Sequence, residues 1–264
     1  MTGKTPKKRL DHLLVELELA ENGTRAQALI REGVVFVNGQ RIDKPGTRID
    51  PASVIQVPTG TPDVGRGAEK LRKALDRFSF NITGRLAADL GASTGGFTQV
   101  LLEKGARRVE TFDVGYGLLH ERLRSDPRVA IHDRTNVRHL TGDEMEPAEI
   151  VVLDLSFISL ELVLPAAFRI SAPDADFIAL VKPQFEAGKR FVGKGGIVRK
   201  PEIQKKVLQD HLEHLEANGF ACWGLVPSSV KGRKGNQEFF SWFRKLEGYG
   251  KPLENIEAVL RSLR

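Results

Sequence analysis

A recurring unit constrains this chain more than any single residue does: a short apolar run, a helical stretch, then another apolar run. RLAADL, RRVETF, RVAIH, EIVVLDL, DFIALV, FACWGLV and QEFFSWF read as strands, and helical patterns lie between most of them, around Glu69 to Phe78, Thr98 to Lys104 and Pro201 to Asn218. This alternation predicts an α/β fold built on a parallel, doubly wound sheet. In such sheets ligands bind where the C-terminal ends of the strands meet a crevice. The last segment, PLENIEAVLRSLR, repeats Leu253, Ile256, Leu260 and Leu263 on one helical face, which predicts a helix packed on the sheet or on a neighbouring helix.

Two of the runs end on charge. Asp154 ends EIVVLD, and Lys182 ends FIALVK. Pro183 stops FIALVK from continuing as a central strand and holds Lys182 extended. Neighbouring parallel strands would turn Asp154 and Lys182 into one crevice. Lys70, early in the first helix of this region, and Glu238, at the start of the last strand, are two further candidates. Two lysines and two carboxylates suit methyl transfer to a hydroxyl, which needs its proton removed or the developing charge on its oxygen stabilised. The alternative is two ordinary surface salt bridges.

DLGASTGGFT, Asp89 to Thr98, follows the first strand of the sheet and opens a helix. Its glycines, Gly91, Gly95 and Gly96, permit a sharp turn and close approach to a ligand. The dinucleotide spacing G-x-G-x-x-G fails because Ser93 holds the middle position, and no G-x-x-x-x-G-K-[ST] occurs. Acid-x-Gly followed by paired glycines suits S-adenosylmethionine, which carries an ammonium, a carboxylate and a ribose but no phosphate. Asp113 ends the second strand, where a carboxylate would accept ribose hydroxyls. Asp133 ends the third, on the adenine side of such a layout. A generic nucleotide fold with solvated acids is the alternative.

The first 58 residues form a separate pattern. RLDHLLVELEL and RAQALIREG read as helices, the second capped by Thr24 and ended by Gly33. VVFVNGQRI reads as a hairpin about Asn38-Gly39, and VIQV as one more strand. The Pro/Gly-rich segment that follows gives a linker at 59–67 and a second domain at 68–264. Net charge is +6 and the pI about 9.5, which favours an anionic partner such as nucleic acid. The one cysteine, Cys222, excludes a disulfide framework and a zinc cluster. His211 and His214 share a helix face without a third ligand, so no metal is expected. The basic N-terminus lacks the apolar core of a signal peptide, and the most apolar stretch, Ile150 to Phe168, carries Asp154, Glu161 and Pro165. The expectation is a cytoplasmic protein without a membrane span.

LAADLGASTGGFTQVLL, FDVGYG, DRTNVR, DLSFISL, VKPQFEAGK and GNQEFF together resemble the TlyA (haemolysin A) family, which belongs to the FtsJ-like ribosomal RNA methyltransferases. TRAQALIREGVVFVNG resembles an S4 RNA-binding domain. The resemblance covers nearly the whole chain. It implies a Rossmann-like methyltransferase sheet preceded by a small α+β S4-like domain. It also implies 2′-O-methylation of ribosomal RNA or ribosomal subunits, at a cytidine, with S-adenosylmethionine. The family's Lys-Asp-Lys-Glu tetrad falls on Lys70, Asp154, Lys182 and Glu238, with Lys182 as base. Its cofactor positions fall on Asp89, Gly91, Ala92, Ser93, Thr94, Gly95, Gly96 and Phe97, then Asp113, Asp133 and Asp154. Asp133 departs from the family, which often has glutamate there.

RNA contacts are expected from Lys7, Lys8, Arg9, Arg25, Gln27 and Arg31 in the N-terminal domain. Two basic loops beside the tetrad add Lys189, Arg190 and Lys194, and Lys231, Arg233 and Lys234. Aromatic residues are only 7%, so recognition by shape and phosphate is expected ahead of base stacking. Two other readings compete. A non-catalytic RNA-binding or assembly factor would bind RNA without cofactor. A membrane-lytic protein, suggested by the haemolysin name, would need an apolar span or an amphipathic basic helix that the sequence lacks.

Overall fold

The computed structural model describes residues 6–20, 22–31, 35–57, 63–78, 80–232, 234–245 and 255–263. Gly33, Arg233, Leu253, residues 59–62 of the expected linker, and the side chains of Arg25 and Arg31 lie outside the described residues. The chain divides into two compact units, Met1–Pro62 and Asp63–Arg264.

In the first unit, β1 (Lys8–Arg9) leads into α1 (Leu10–Glu16) and α2 (Gly23–Arg31). Four short strands follow: β2 (Phe36–Val37), β3 (Gln40–Arg41), β4 (Arg48–Ile49) and β5 (Ile55–Gln56). β1 pairs with β4, and β2 is flanked by β3 and β5. Asn38 and Gly39 both have positive φ, 50° and 79°, as a two-residue hairpin with the right-handed strand twist requires. α2 starts at Gly23, so Thr24 lies inside the helix and does not cap it. Leu10, Leu14, Ala26, Ile30 and Val35 are fully buried between these elements.

The second unit contains α3 (Arg66–Leu75), β6 (Leu86–Leu90), α4 (Gly96–Glu103), β7 (Arg108–Phe112), α5 (Glu121–Arg124), β8 (Val129–His132), β9 (Ala148–Leu153), α6 (Leu164–Arg169), β10 (Ser171–Val181), α7 (Pro183–Glu186), α8 (Pro201–Ala217), β11 (Phe220–Pro227), β12 (Phe239–Lys245) and α9 (Asn255–Ser262). Every run read as a strand is one. α3 begins inside the segment read as linker, and residues ahead of it are already tied down: Val64 N donates to Gln99 Oε1 at 2.9 Å, and Asp63 pairs with Arg72 at 2.9 Å.

The seven strands form one sheet in the order β11-β12-β10-β9-β6-β7-β8. It is not wholly parallel. β12 runs antiparallel to both β10 and β11. A parallel neighbour needs a crossover of a dozen or more residues, usually a helix, and only the irregular segment 228–238 joins β11 to β12.

Strand residues alternate between two cores, as a period of two demands. Ile150, Val152, Ile178, Leu180 and Phe240 face the layer containing α3 and α4. Val151, Leu153, Phe177, Ala179, Val181 and Phe239 face the layer containing α6, α8 and α9. Among the described residues, no helix is long and apolar enough to cross a membrane.

Candidate active site

The same alternation aims the site. Leu153 and Val181 face the α6–α8 layer, so the next residues, Asp154 and Lys182, fall on the α3–α4 side. Phe239 faces the α6–α8 layer, so Glu238 before it shares the side of Asp154 and Lys182. β12 pairs Phe239 with Val181. Because β12 is antiparallel, its beginning lies at the C-terminal edge of the parallel strands. A parallel strand would have carried Glu238 to the far edge. Lys70 reaches the same place from α3.

The four residues form two ion pairs. Lys182 Nζ lies 2.6 Å from Asp154 Oδ1, and Lys70 Nζ 2.6 Å from Glu238 Oε2. Lys182 also donates to Ser156 Oγ at 3.0 Å, and Gln184 Nε2 donates to Glu238 Oε1 at 3.2 Å. The pairs differ in exposure. The side chains of Lys70 and Glu238 are 10% and 4% exposed, whereas Asp154 is 25% exposed beside a 7% exposed Lys182. Asp154 is thus the most exposed of the four side chains, and the other three are nearly buried.

All four line a cavity of about 900 Å³ that extends to the glycine loop through Asp89, Gly91, Ala92, Ser93, Thr94, Gly96 and Phe97. Gly91 has φ 92°, and a Cβ there would stand 2.8 Å from the Asp154 carbonyl oxygen. No larger residue lets the loop pass under the end of β9. Asp89 is fully buried. Thr98 Oγ1 donates to its Oδ2 at 2.6 Å, while Oδ1 has no hydrogen-bond partner. Burial raises its carboxyl to about pH 7 against the pull of the Thr98 hydroxyl. A buried carboxylate oxygen left without a donor is costly unless a ligand completes it.

Other expected positions stand apart. Gly95 turns the loop but does not line the cavity, nor do Asp113 and Asp133. Asp113 accepts backbone N–H groups from Ser93 (2.9 Å) and Gly115 (2.8 Å). Asp133 accepts from Gly117 N at 3.0 Å and pairs with Arg124 at 3.6 Å. In the first unit Lys7 and Lys8 are exposed, but Arg9 grips the buried Asp11 at 2.7 Å and Gln27 Nε2 donates to the same carboxylate at 3.3 Å. The basic loops do flank the cavity. Lys189, Arg190, Lys194 and Lys231 are exposed, and Lys234 lines the cavity wall. Asn236 ties the two loops together, accepting from Val198 N at 2.9 Å and donating to Gly196 O at 2.8 Å.

Ser156, Phe157 and Gln184 were missed as site residues. Phe157 lines the cavity at 91% exposure with φ 66°, a left-handed conformation that costs a bulky residue energy and marks functional segments. Its ring lies 5.2 Å from that of Phe185. The signal was in the sequence: Phe157 stands three residues after Asp154 in DLSF, just past the end of β9. Among the described residues no cluster of His, Cys, Asp and Glu could hold a metal.

Known proteins share this architecture. The FtsJ-like methyltransferase model matches residues 64–245, and the S4 domain model matches residues 8–55. The 16S/23S rRNA (cytidine-2′-O)-methyltransferase TlyA of Mycobacterium tuberculosis is 43% identical over 239 residues, 89% of each chain. Hemolysin A of Brachyspira hyodysenteriae is 35% identical over 237 residues, 89% of this chain and 99% of its own. A solved structure from Streptococcus thermophilus, named for a hemolysin, is 36% identical with a TM-score of 0.73 and covers 98% of this chain and 96% of its own. The chain belongs to the TlyA/hemolysin A family of FtsJ-like methyltransferases and carries an S4 domain on its N-terminal side.

Proposed function

We propose that this protein methylates a ribose 2′-hydroxyl of ribosomal RNA, at a cytidine, using S-adenosylmethionine. The observation that carries the reading is the pairing of two lysines with two carboxylates in the same cavity as the glycine loop. The cavity's own residues fit the cofactor. The orphaned Asp89 Oδ1 is placed to accept from an ammonium, and Gly91 keeps the floor clear. Asp113, outside the cavity lining but bonded to Ser93 N of the glycine loop, retains acceptor capacity for ribose hydroxyls beyond its two backbone donors. When bound, the cofactor supplies an electrophilic methyl group.

The chain's part is to present the hydroxyl. Lys182 Nζ, fixed between Asp154 and Ser156, acts here as the neutral amine: with its own proton already given up to solvent, it takes the proton from the 2′-hydroxyl as that oxygen is alkylated and ends as the ammonium paired with Asp154. Lys70, held by Glu238, adds fixed positive charge near the developing anion. Phe157 and Phe185 offer an aromatic surface for the nucleobase at the opening. The basic loops and the S4 domain supply phosphate contacts. The test is mapping of 2′-O-methyl marks on ribosomal RNA from cells with and without the protein, with transfer of labelled methyl to purified subunits. No mark and no transfer would overturn the reading.

Asp89→Asn separates cofactor binding from folding. The charge-assisted bond to the ammonium is lost, so cofactor affinity falls roughly tenfold to a hundredfold by titration calorimetry. The stability effect has the opposite sign at high pH. The folded wild type holds a proton on Asp89 that the unfolded chain releases, so this group's ionisation erodes apo stability as pH rises from about 4 to about 7. The asparagine variant lacks that penalty. Its urea midpoint relative to wild type rises between pH 5 and pH 8.

A further inference from the structure

A second cavity, of about 380 Å³, shares Lys70 with the first. One wall is a stripe on α3 and the turn after it: Lys70, Lys73, Ala74 and Arg77. These positions are i, i+3, i+4 and i+7, one face of a helix, and the turn continues through Arg77 N, which donates to Ala74 O at 3.0 Å. The opposite wall includes Ser228 and Ser229. Ser228 N donates to Glu238 O at 2.8 Å, so both walls are anchored on the Lys70–Glu238 pair.

Positive charge here is available. Arg77 is exposed and makes no ion pair or side-chain hydrogen bond among the described residues. Lys73 holds Glu69 at 2.7 Å, but the two side chains are 54% and 50% exposed, a solvent-screened pair that a phosphate can displace. Asp76, the one acid in the wall, is drawn toward Lys104 at 3.8 Å. Ser229 is exposed with its hydroxyl unengaged among the described residues.

Resting on the RNA reading above, we propose that this cavity takes a phosphodiester of the strand that carries the target ribose. Arg77 grips two of its oxygens in the forked geometry of a guanidinium, Lys73 adds a point charge and Ser229 a hydroxyl donor. From Lys70 to Arg77 the stripe runs roughly 10 Å. A phosphate held there anchors the strand next to the site that holds Lys70. The contact positions the strand and reads no base.

The experiment is equilibrium binding of the full chain to purified bacterial ribosomal subunits without cofactor, over about 50 to 200 mM salt. Arg77→Glu weakens binding about tenfold or more and lowers the magnitude of the log K against log salt slope by about one. Arg77→Lys keeps the slope. Cofactor affinity and urea midpoint stay at wild-type values, and methylation shows a raised KM at unchanged kcat. Wild-type affinity and slope in Arg77→Glu overturn the proposal, as does an Arg77→Lys variant that loses binding as fully as the glutamate. Because binding is read without cofactor, a wild type that binds subunits but never methylates them sinks the proposed activity and leaves this test intact.

Discussion

Lys182→Ala removes methyl transfer and leaves cofactor binding in place. Loss of a proton acceptor in the reacting position costs about 10²- to 10⁴-fold. The ammonium that Lys182 becomes on taking the proton is lost as well, and with it its stabilisation of the ribose oxygen. Cofactor binding survives because neither the buried acceptor, Asp89, nor the turn at Gly91 depends on the Lys182 side chain. Folding survives because the partner left behind, Asp154, is 25% exposed and can be rehydrated. Lys182→Arg sharpens the result. An arginine keeps the charge but does not deprotonate, so an inactive arginine variant identifies Lys182 as the proton acceptor, and substantial recovery would recast it as an electrostatic clamp. Single-turnover transfer of labelled methyl, with cofactor binding measured in parallel, reads both variants. Full activity in Lys182→Ala would overturn the mechanism.

Much of this site was legible because strand periodicity is rigid. Once EIVVLD and FIALVK are strands, the parity of Asp154 and Lys182 follows from their apolar neighbours. Strand direction has no such signature. QEFFSWF reads the same in either sense, and the expectation of a parallel sheet failed at β12. The clue lay outside the strand, in the lack of a helical pattern between FACWGLV and QEFFSWF. β10 was read too short because Ser171 to Ala175 carries polar residues and a proline, with Pro173 and Asp174 exposed. The hidden partnerships were also illegible. Nothing in RLDHLL says that Arg9 spends its guanidinium on Asp11, since a basic residue before a helix looks the same whether it faces RNA or a buried acid. Phe157 was passed over on composition, because a low aromatic content says nothing about where one aromatic is placed.

The strongest structural demand is made by a residue outside the active site. Asp176 starts the apolar half of β10 and is fully buried. Its carboxylate accepts from Trp242 Nε1 at 2.6 Å, from Arg85 Nη1 at 2.7 Å and from Arg244 Nη2 at 2.8 Å, with a further bond from Arg244 Nε. Arg85 extends the cluster to the carbonyls of Asn81 and Glu149. One acid thus joins β10, β12 and the entry to β6, the strand that carries the glycine loop. Asp176→Ala leaves two guanidinium groups and an indole N–H without their shared acceptor. Removing one partner of a buried pair costs about 3–5 kcal/mol. The arginine side chains, 19% and 18% exposed, regain some water, which places the expected loss near the lower value. For a unit of this size that lowers the melting temperature by on the order of 10 °C. Both tryptophans, Trp223 and Trp242, belong to this unit, so tryptophan fluorescence in urea follows its unfolding without a contribution from the S4 domain. A loss below about 1 kcal/mol would mean that the cluster is solvated in solution and that the sheet is held by its apolar faces alone.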